Sequence, residues 1–317
     1  MGEGTRFLAL LSCGRGVGGE GHQQRPILNK SNAKAIDSCK KLKITVNLTS
    51  TMAGQILGHY EIERELGRQS GRWTLLARSL DTHEQVVIKL LCPDETLRSD
   101  DLKLFEREAE TLKALSHPCV PQYLDYFEHQ LPTGKALALV QTYVPGKSLE
   151  ECMQIGRTFT EEEAKQIAKS LLYILIYLHG RQPTTVHRDI KPSNIVLAQR
   201  RTHLINFGSV KMLLSSDRSA FTQMKAHDYT PPEQFAGRAL TVSDLYSLGA
   251  TLIAIITGKS PSQLPHKGTK LDFQQVVDLS PAFGDWLSWL TETSLDRRIQ
   301  SAKEALQVLE SGQIQRA

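Results

Sequence analysis

No two cysteines in this sequence stand as C-x-x-C; the five present, Cys13, Cys39, Cys92, Cys119 and Cys152, are scattered and odd in number. Such spacing suggests neither a zinc site nor a disulfide framework. It reads as reduced thiols, and a cytoplasmic location is expected. Long apolar runs are also missing. The longest, Leu171–Leu178 and Leu248–Ile256, fall far short of the ~20 residues that span a bilayer. Phe7–Leu11 is shorter than the ~7–15-residue apolar segment of a secretory signal. Arg6 stands where myristoylation needs Ser or Thr. No membrane span is expected, and no internal repeat is visible. A basic body is missing too. The net charge is +4, but residues 1–51 hold eight Lys/Arg against three Asp/Glu, so the remainder carries 30 basic and 31 acidic groups. No nucleic-acid partner is expected from that balance.

What is present is an ordinary globular mixture, 40% hydrophobic and 23% charged, enough for a substantial core. Residues 1–53 carry seven glycines before residue 22 and no sustained periodicity. This basic, glycine-rich segment is expected to be disordered, and Met52, just ahead of the first regular element, is a candidate for the true start. From there the pattern predicts strands at Tyr60–Leu66, Thr74–Leu80 and Gln85–Leu91. A helix at Leu102–Leu115 follows, with apolar residues at 102, 105, 109, 112 and 115. Two more strands are expected at Tyr123–Phe127 and Ala136–Thr142, before Pro145-Gly146 breaks the chain. The rest reads as helical. Thr160 and Glu163 form a capping box, ahead of the stripe Ala164, Ile167, Ala168, Leu171, Leu172, Leu175 and Leu178. Val242–Ile256 and Ala302–Leu309 are further helices, the latter behind a Ser301…Glu304 box. Strands first and helices later predict an α+β fold with two segregated lobes.

Three short motifs are decoys. Gly14 to Gly19 matches G-x-G-x-x-G, with Asp37 downstream, but Gly21 and Pro26 leave no helix N-terminus to hold a pyrophosphate. Gly146-Lys147-Ser148 and Gly258-Lys259-Ser260 lack the earlier glycine of a P-loop, because Gln141 and Ile253 stand there.

The signal that carries chemistry is His187-Arg188-Asp189-Ile190-Lys191-Pro192-Ser193-Asn194. It is followed by Asn206-Phe207-Gly208, Pro231-Pro232-Glu233 and Ser243-Asp244 through Gly249, and preceded by Val86-Val87-Ile88-Lys89. In this order and spacing, these segments resemble the catalytic domain of eukaryotic-type serine/threonine protein kinases, in the version found in bacteria. The resemblance runs from about Tyr60 to Leu309. It implies a bilobal kinase domain over 60–311, with an N-lobe at 60–141, a hinge at 142–146 and a C-lobe at 147–311.

The resemblance also implies roles, which suit a reaction that is mostly positioning and charge stabilisation. ATP and Mg²⁺ or Mn²⁺ are the implied cofactors, and proteins of unknown identity the substrates. Lys89 pairs with the α- and β-phosphates and Glu108 holds it, although Glu106 and Glu110 are neighbours open to confusion. Asp189 accepts or orients the hydroxyl proton of the substrate. Lys191 reaches the γ-phosphate, a lysine that small-molecule phosphotransferases of related fold usually lack. Asn194 and Asn206 are the metal ligands. The loop Leu66, Gly67, Arg68, Gln69, Ser70, Gly71, Arg72, Trp73 and Thr74 covers the nucleotide. Thr142 and Val144 meet the adenine through the backbone, with Gln141 as gatekeeper. Arg188 binds a phosphorylated activation segment, with Ser215, Ser216, Ser219 and Thr222 as candidates. Glu233 with Arg298, and Asp244 beneath the catalytic loop, are structural.

Four departures from the family pattern stand out. The glycine-rich loop keeps only its first glycine; Gln69 and Arg72 replace the others, and Arg72 is either a surface residue or a phosphate contact. Val87 replaces an alanine over the adenine. Asn206 replaces the metal-binding aspartate. Lys225-Ala226 stands where Gly-Thr is usual. Two functions follow: a serine/threonine protein kinase of low activity, or a pseudokinase acting as a nucleotide-binding or allosteric signalling scaffold.

Overall fold

The computed structural model describes residues 52–69, 71–92, 99–132, 134–213 and 228–312. The N-terminal part is a six-stranded antiparallel sheet of β1 (Ile56–Leu57), β2 (Tyr60–Gln69), β3 (Arg72–Ser79), β4 (Gln85–Leu91), β5 (Tyr123–Leu131) and β6 (Gly134–Thr142). Its spatial order is β1-β2-β3-β4-β6-β5. Side chains alternate across the strands, and the two faces have different fates. Trp73, Leu75 and Ala77 of β3, Val86, Ile88 and Leu90 of β4, and Ala136, Ala138 and Val140 of β6 form an outer core with Met52, Leu57 and Ile62. The opposite face brings Leu91 and Leu139 against helix α1 (Ser99–Ala114), which contributes Phe105, Ala109 and Leu112.

Several boundaries differ from expectation, and the strand ends do so for a physical reason. β2 and β3 run on toward the turn, with Gly67 opposite Thr74 and Gln69 opposite Arg72. Ladder hydrogen bonds continue there, although glycine and polar residues read as a loop. The described chain also begins inside the segment expected to lack structure. Met52 is only 8% exposed, within the outer core. Backbone bonds from Gly54 N to Ile62 O at 2.8 Å and from Ile62 N to Gln55 O at 2.9 Å tie its neighbours to β2. Residues 1–51 lie outside the described residues.

After the hinge come β7 (Lys147–Ser148), α2 (Leu149–Gln154) and α3 (Glu161–His179). Thr160 caps α3 reciprocally. Glu163 N donates to its Oγ1 at 3.3 Å, and Thr160 N donates to Glu163 Oε2 at 3.0 Å. The stripe of α3 is buried throughout and packs into the larger core. Short strands β8 (Thr184–Val186), β9 (Ile195–Ala198), β10 (Arg201–Leu204) and β11 (Lys211–Leu213) form small sheets around the catalytic loop. Helices α4 (Pro232–Phe235), α5 (Thr241–Thr257), α6 (Pro281–Leu290) and α7 (Ala302–Ser311) complete the C-lobe. Every residue of α5 from Val242 to Ile256 is buried, and its polar members Ser243, Asp244, Ser247 and Thr251 each have a hydrogen-bond partner, as burial of a polar group requires. The box ahead of α7 is only half of one. Glu304 N donates to Ser301 Oγ at 3.1 Å, but the Glu304 carboxylate accepts from Gln300 N, also at 3.1 Å.

Candidate active site

Lys89 sits on the face of β4 that looks toward α1, directly opposite Thr74 of β3. Its ammonium pairs with Glu108 and donates to Asn206 Oδ1 at 2.9 Å. Of the three neighbouring glutamates, only Glu108 is buried, at 4% exposure, whereas Glu106 and Glu110 are exposed. A carboxylate interrupts an apolar helix face here because a partly buried ammonium faces it. Gly208 makes the approach possible: a Cβ there would lie 2.8 Å from Glu108 Oε2.

The catalytic loop hangs from Asp244, which is fully buried. Its carboxylate accepts the backbone N–H groups of His187 and Arg188, each at 2.8 Å, and meets His179 Nε2 at 2.9 Å. The loop needs such an anchor because Arg188 holds a φ of 70°, a left-handed conformation costly for a side-chain-bearing residue. His187 accepts from Asp189 N at 3.3 Å through Nδ1, so its Nε2 carries the proton and donates to Ile205 O at 3.2 Å. Complete burial pushes its pKa down and favours this neutral form. Its ring stands edge-on to Phe207, with centroids 4.9 Å apart.

Four of the expected residues converge below Lys89. Asp189 Oδ1 pairs with Lys191 Nζ at 2.9 Å. Asn194 Nδ2 donates to Asp189 O at 2.7 Å and to Asp189 Oδ2 at 2.8 Å. Asn206, with a φ of 67°, extends its own Nδ2 toward Asp189 Oδ2 at 3.4 Å and Asn194 Oδ1 at 3.3 Å.

Other expected residues go elsewhere. Arg72 pairs with Asp101 Oδ1 of α1 at 2.9 Å and also reaches Asp101 O at 3.4 Å. Trp73 belongs to the outer core, at 6% exposure, because alternation along β3 turns it away from Lys89. Arg68 stacks over its ring at 3.9 Å, a cation–π contact. Leu66 is exposed, Gly67 has open space beside it, and Gly71 turns the hairpin with a φ of 66°. Ser70 lies outside the described residues, and so does the side chain of Gln69. The Thr142 N–H donates to Gln122 O at 3.0 Å, and Thr142 Oγ1 accepts from Gln122 N at 2.9 Å. The N–H of Thr142 is thereby engaged within the N-terminal part, and Val144 follows in the hinge. Val87 and Gln141 are both buried and directly opposite one another. Ser215, Ser216, Ser219, Thr222 and Lys225-Ala226 lie outside the described residues.

At the base of the site, Glu233 forms a two-pronged pair with Arg298, at 2.6 Å and 3.1 Å. Sequence reasoning missed two participants: His179 and Asp101. A histidine ending a helix and an aspartate beginning one are each common on surfaces, so their residue types held no signal.

Such an arrangement defines the catalytic domain of a protein kinase. A family model for the protein kinase domain matches residues 60–311. Serine/threonine-protein kinase B of Synechocystis sp. is 38% identical over 224 residues, 66% of this chain and 38% of that protein. Serine/threonine-protein kinase C of the same organism is 34% identical over 273 residues, 79% of this chain and 49% of that protein. PknA of Nostoc sp. is 29% identical over 271 residues, covering 80% and 47%. The chain thus belongs to the eukaryotic-type serine/threonine protein kinase family. It spans half or less of the length of these curated relatives. The family generally uses ATP with Mg²⁺ or Mn²⁺ and acts on proteins. Among the described residues, no helix is long and apolar enough to cross a membrane.

A divalent cation of this kind prefers hard, anionic oxygens. Here Asn206 Oδ1 is taken by Lys89, Asp189 is engaged by Lys191 and Asn194, and an N–H₂ group points between the remaining oxygens. As arranged, these residues do not fit the cation.

Proposed function

We propose that this chain is an ATP-dependent serine/threonine protein kinase of low activity, located in the cytoplasm. The observation that carries the reading is the joint presence of the Lys89–Glu108 and Asp189–Lys191 pairs. Lys89 would hold the α- and β-phosphates, and the backbone of Val144 the base. The Ser or Thr oxygen of the substrate attacks the γ-phosphorus, the bond to the β–γ bridging oxygen breaks, and the hydroxyl proton passes to Asp189. Lys191 follows the charge on the γ-phosphate. Arg188 would receive a phosphate from the 214–227 segment. It is 5% exposed, and its Nε has no hydrogen-bond partner among the described residues. Arg107 adds positive potential there and, after burial, helps push the Arg188 pKa down.

Activity is proposed to be low because the charge of one carboxylate is missing. A unit charge ~4 Å from a cation is worth about 4 kcal/mol at an effective dielectric of ~20, or roughly a thousandfold in rate. The same asparagine supports a second reading, a pseudokinase serving as a nucleotide-binding or allosteric scaffold, since its N–H₂ faces the catalytic oxygens. Transfer of radiolabelled phosphate to the chain itself and to a generic basic protein separates the two. Signal above an Asp189→Ala blank is expected. Equality with that blank would leave the scaffold.

A further inference from the structure

We propose that the Asn206 amide stands, as a hydrogen-bond donor, where the family places a divalent cation, and that this chain binds nucleoside triphosphate without metal. The inference rests on the nucleotide-binding part of the reading above.

The orientation of the amide is dictated by its neighbours. A lysine ammonium has donors only, so the Asn206 atom 2.9 Å from Lys89 Nζ is the oxygen. Asn194 is fixed by the same logic. One of its amide atoms lies 2.7 Å from the carbonyl oxygen of Asp189 and 2.8 Å from its carboxylate, both acceptors, so that atom is the nitrogen. Its oxygen is then the atom that meets Asn206. The Asn206 nitrogen is left facing two acceptors, Asn194 Oδ1 at 3.3 Å and Asp189 Oδ2 at 3.4 Å. Each polar atom of the chain Lys89–Asn206–Asn194–Asp189 points the right way with no ion between them.

A carboxylate at 206 would reverse this. It could still accept from Lys89, but its second oxygen would confront Asp189 Oδ2 and Asn194 Oδ1 with nothing to donate. Two carboxylates at such a distance need a cation between them or a shared proton. The backbone does not decide the matter, because a φ of 67° is tolerated by asparagine and aspartate alike. To coordinate a metal, the present amide would have to turn over. Its N–H₂ would then face the Lys89 ammonium, and both bonds from its nitrogen would be lost. Metal binding is therefore opposed by the network that joins these four side chains. The triphosphate charge falls to Lys89, Lys191 and the amide nitrogen, whose long contacts leave it able to donate to a phosphate oxygen.

The test uses the full chain and two readouts besides activity. The first is calorimetric titration with ATP in EDTA and in excess MgCl₂. The wild-type Kd should agree within about threefold between the two, while Asn206→Asp should bind at least about tenfold more weakly in EDTA, because a freed carboxylate then opposes the phosphates. The second is the melting temperature without nucleotide. MgCl₂ should raise that of Asn206→Asp and leave the wild type unmoved. Wild-type binding that appears only with MgCl₂ overturns the proposal but leaves the kinase reading standing. No ATP binding in either buffer overturns both. A wild-type melting temperature raised by MgCl₂ alone also overturns the proposal. Should Asn206→Asp fail to fold, the wild-type titration and melt decide it alone.

Discussion

Replacing Arg298 with alanine should cost this domain a large fraction of its stability. Its guanidinium is 1% exposed and Glu233 is 8% exposed. Beyond its two bonds to Glu233, it donates through Nε to Glu292 O at 2.6 Å and through Nη1 to Val242 O at 3.1 Å. Removing it strands a buried carboxylate and two carbonyls together. Breaking a buried pair from one side costs about 3–5 kcal/mol, against a total of roughly 5–15 kcal/mol. For a domain of this size, at ~2–4 °C per kcal/mol, Tm should fall by about 6–20 °C. Arg298→Lys should lose less, since it keeps the charge but not the planar fork. The effect should also depend on pH with a definite sign. Burial pushes the Glu233 pKa up, but the bonds from Arg298 and Ser243 and the Arg298 charge outweigh it and hold the carboxyl below its ordinary value of 4.5. A carboxylate depressed by folding contributes stability above its unfolded pKa and loses it as pH falls through the folded one. In thermal melts followed by circular dichroism, the gap between wild type and Arg298→Ala should therefore be full at neutral pH and narrow below pH 4.5. A loss under about 1 kcal/mol, the range of exposed pairs, would refute the reasoning, as would a gap that does not narrow in acid.

Two further substitutions probe the nucleotide end of the cleft. Gly208→Ala places a Cβ 2.8 Å from Glu108 Oε2. The carboxylate can swing aside, so the chain should fold normally, yet Lys89 loses its partner and phosphate transfer should fall about 10²-fold, as for a misplacement of ~1 Å; unchanged transfer would show that the pair does not position Lys89. Arg72→Ala removes a pair whose side chains are 33% and 32% exposed, so stability should drop by only about 0.2–1 kcal/mol. ATP affinity should stay within about threefold of wild type, and a tenfold loss would return Arg72 to the phosphates.

Much of the fold was legible because it follows from local pattern. β4 spans Gln85–Leu91, as its β-branched run indicates, and the α3 stripe is buried as its spacing requires. The motif order singled out Lys89 and the neighbouring Asp189, Lys191 and Asn194, and the fold joins the distant lysine to the other three through Asn206. Strand ends near Gln69 and Arg72 were not legible, because the hydrogen bonds that extend a strand belong to its partner. Arg72 was left undecided between solvent and phosphate for the same reason: its partner, Asp101, lies 29 residues away. Glu108 could not be separated from Glu106 and Glu110 by residue type; the spacing to His117-Pro118 favoured it, and of the three it is Glu108 that meets the Lys89 ammonium.

Asn206 divides the two kinds of knowledge most sharply. Its identity was plain from the sequence, and so was the missing charge, because a carboxylate and an amide differ in composition. Which way the amide points was decided only by the tertiary structure. An amide is nearly symmetric in shape but opposite in hydrogen-bonding character at its two ends. Its orientation is therefore set by whichever donors and acceptors surround it, here an ammonium 117 residues distant and two oxygens of the catalytic loop.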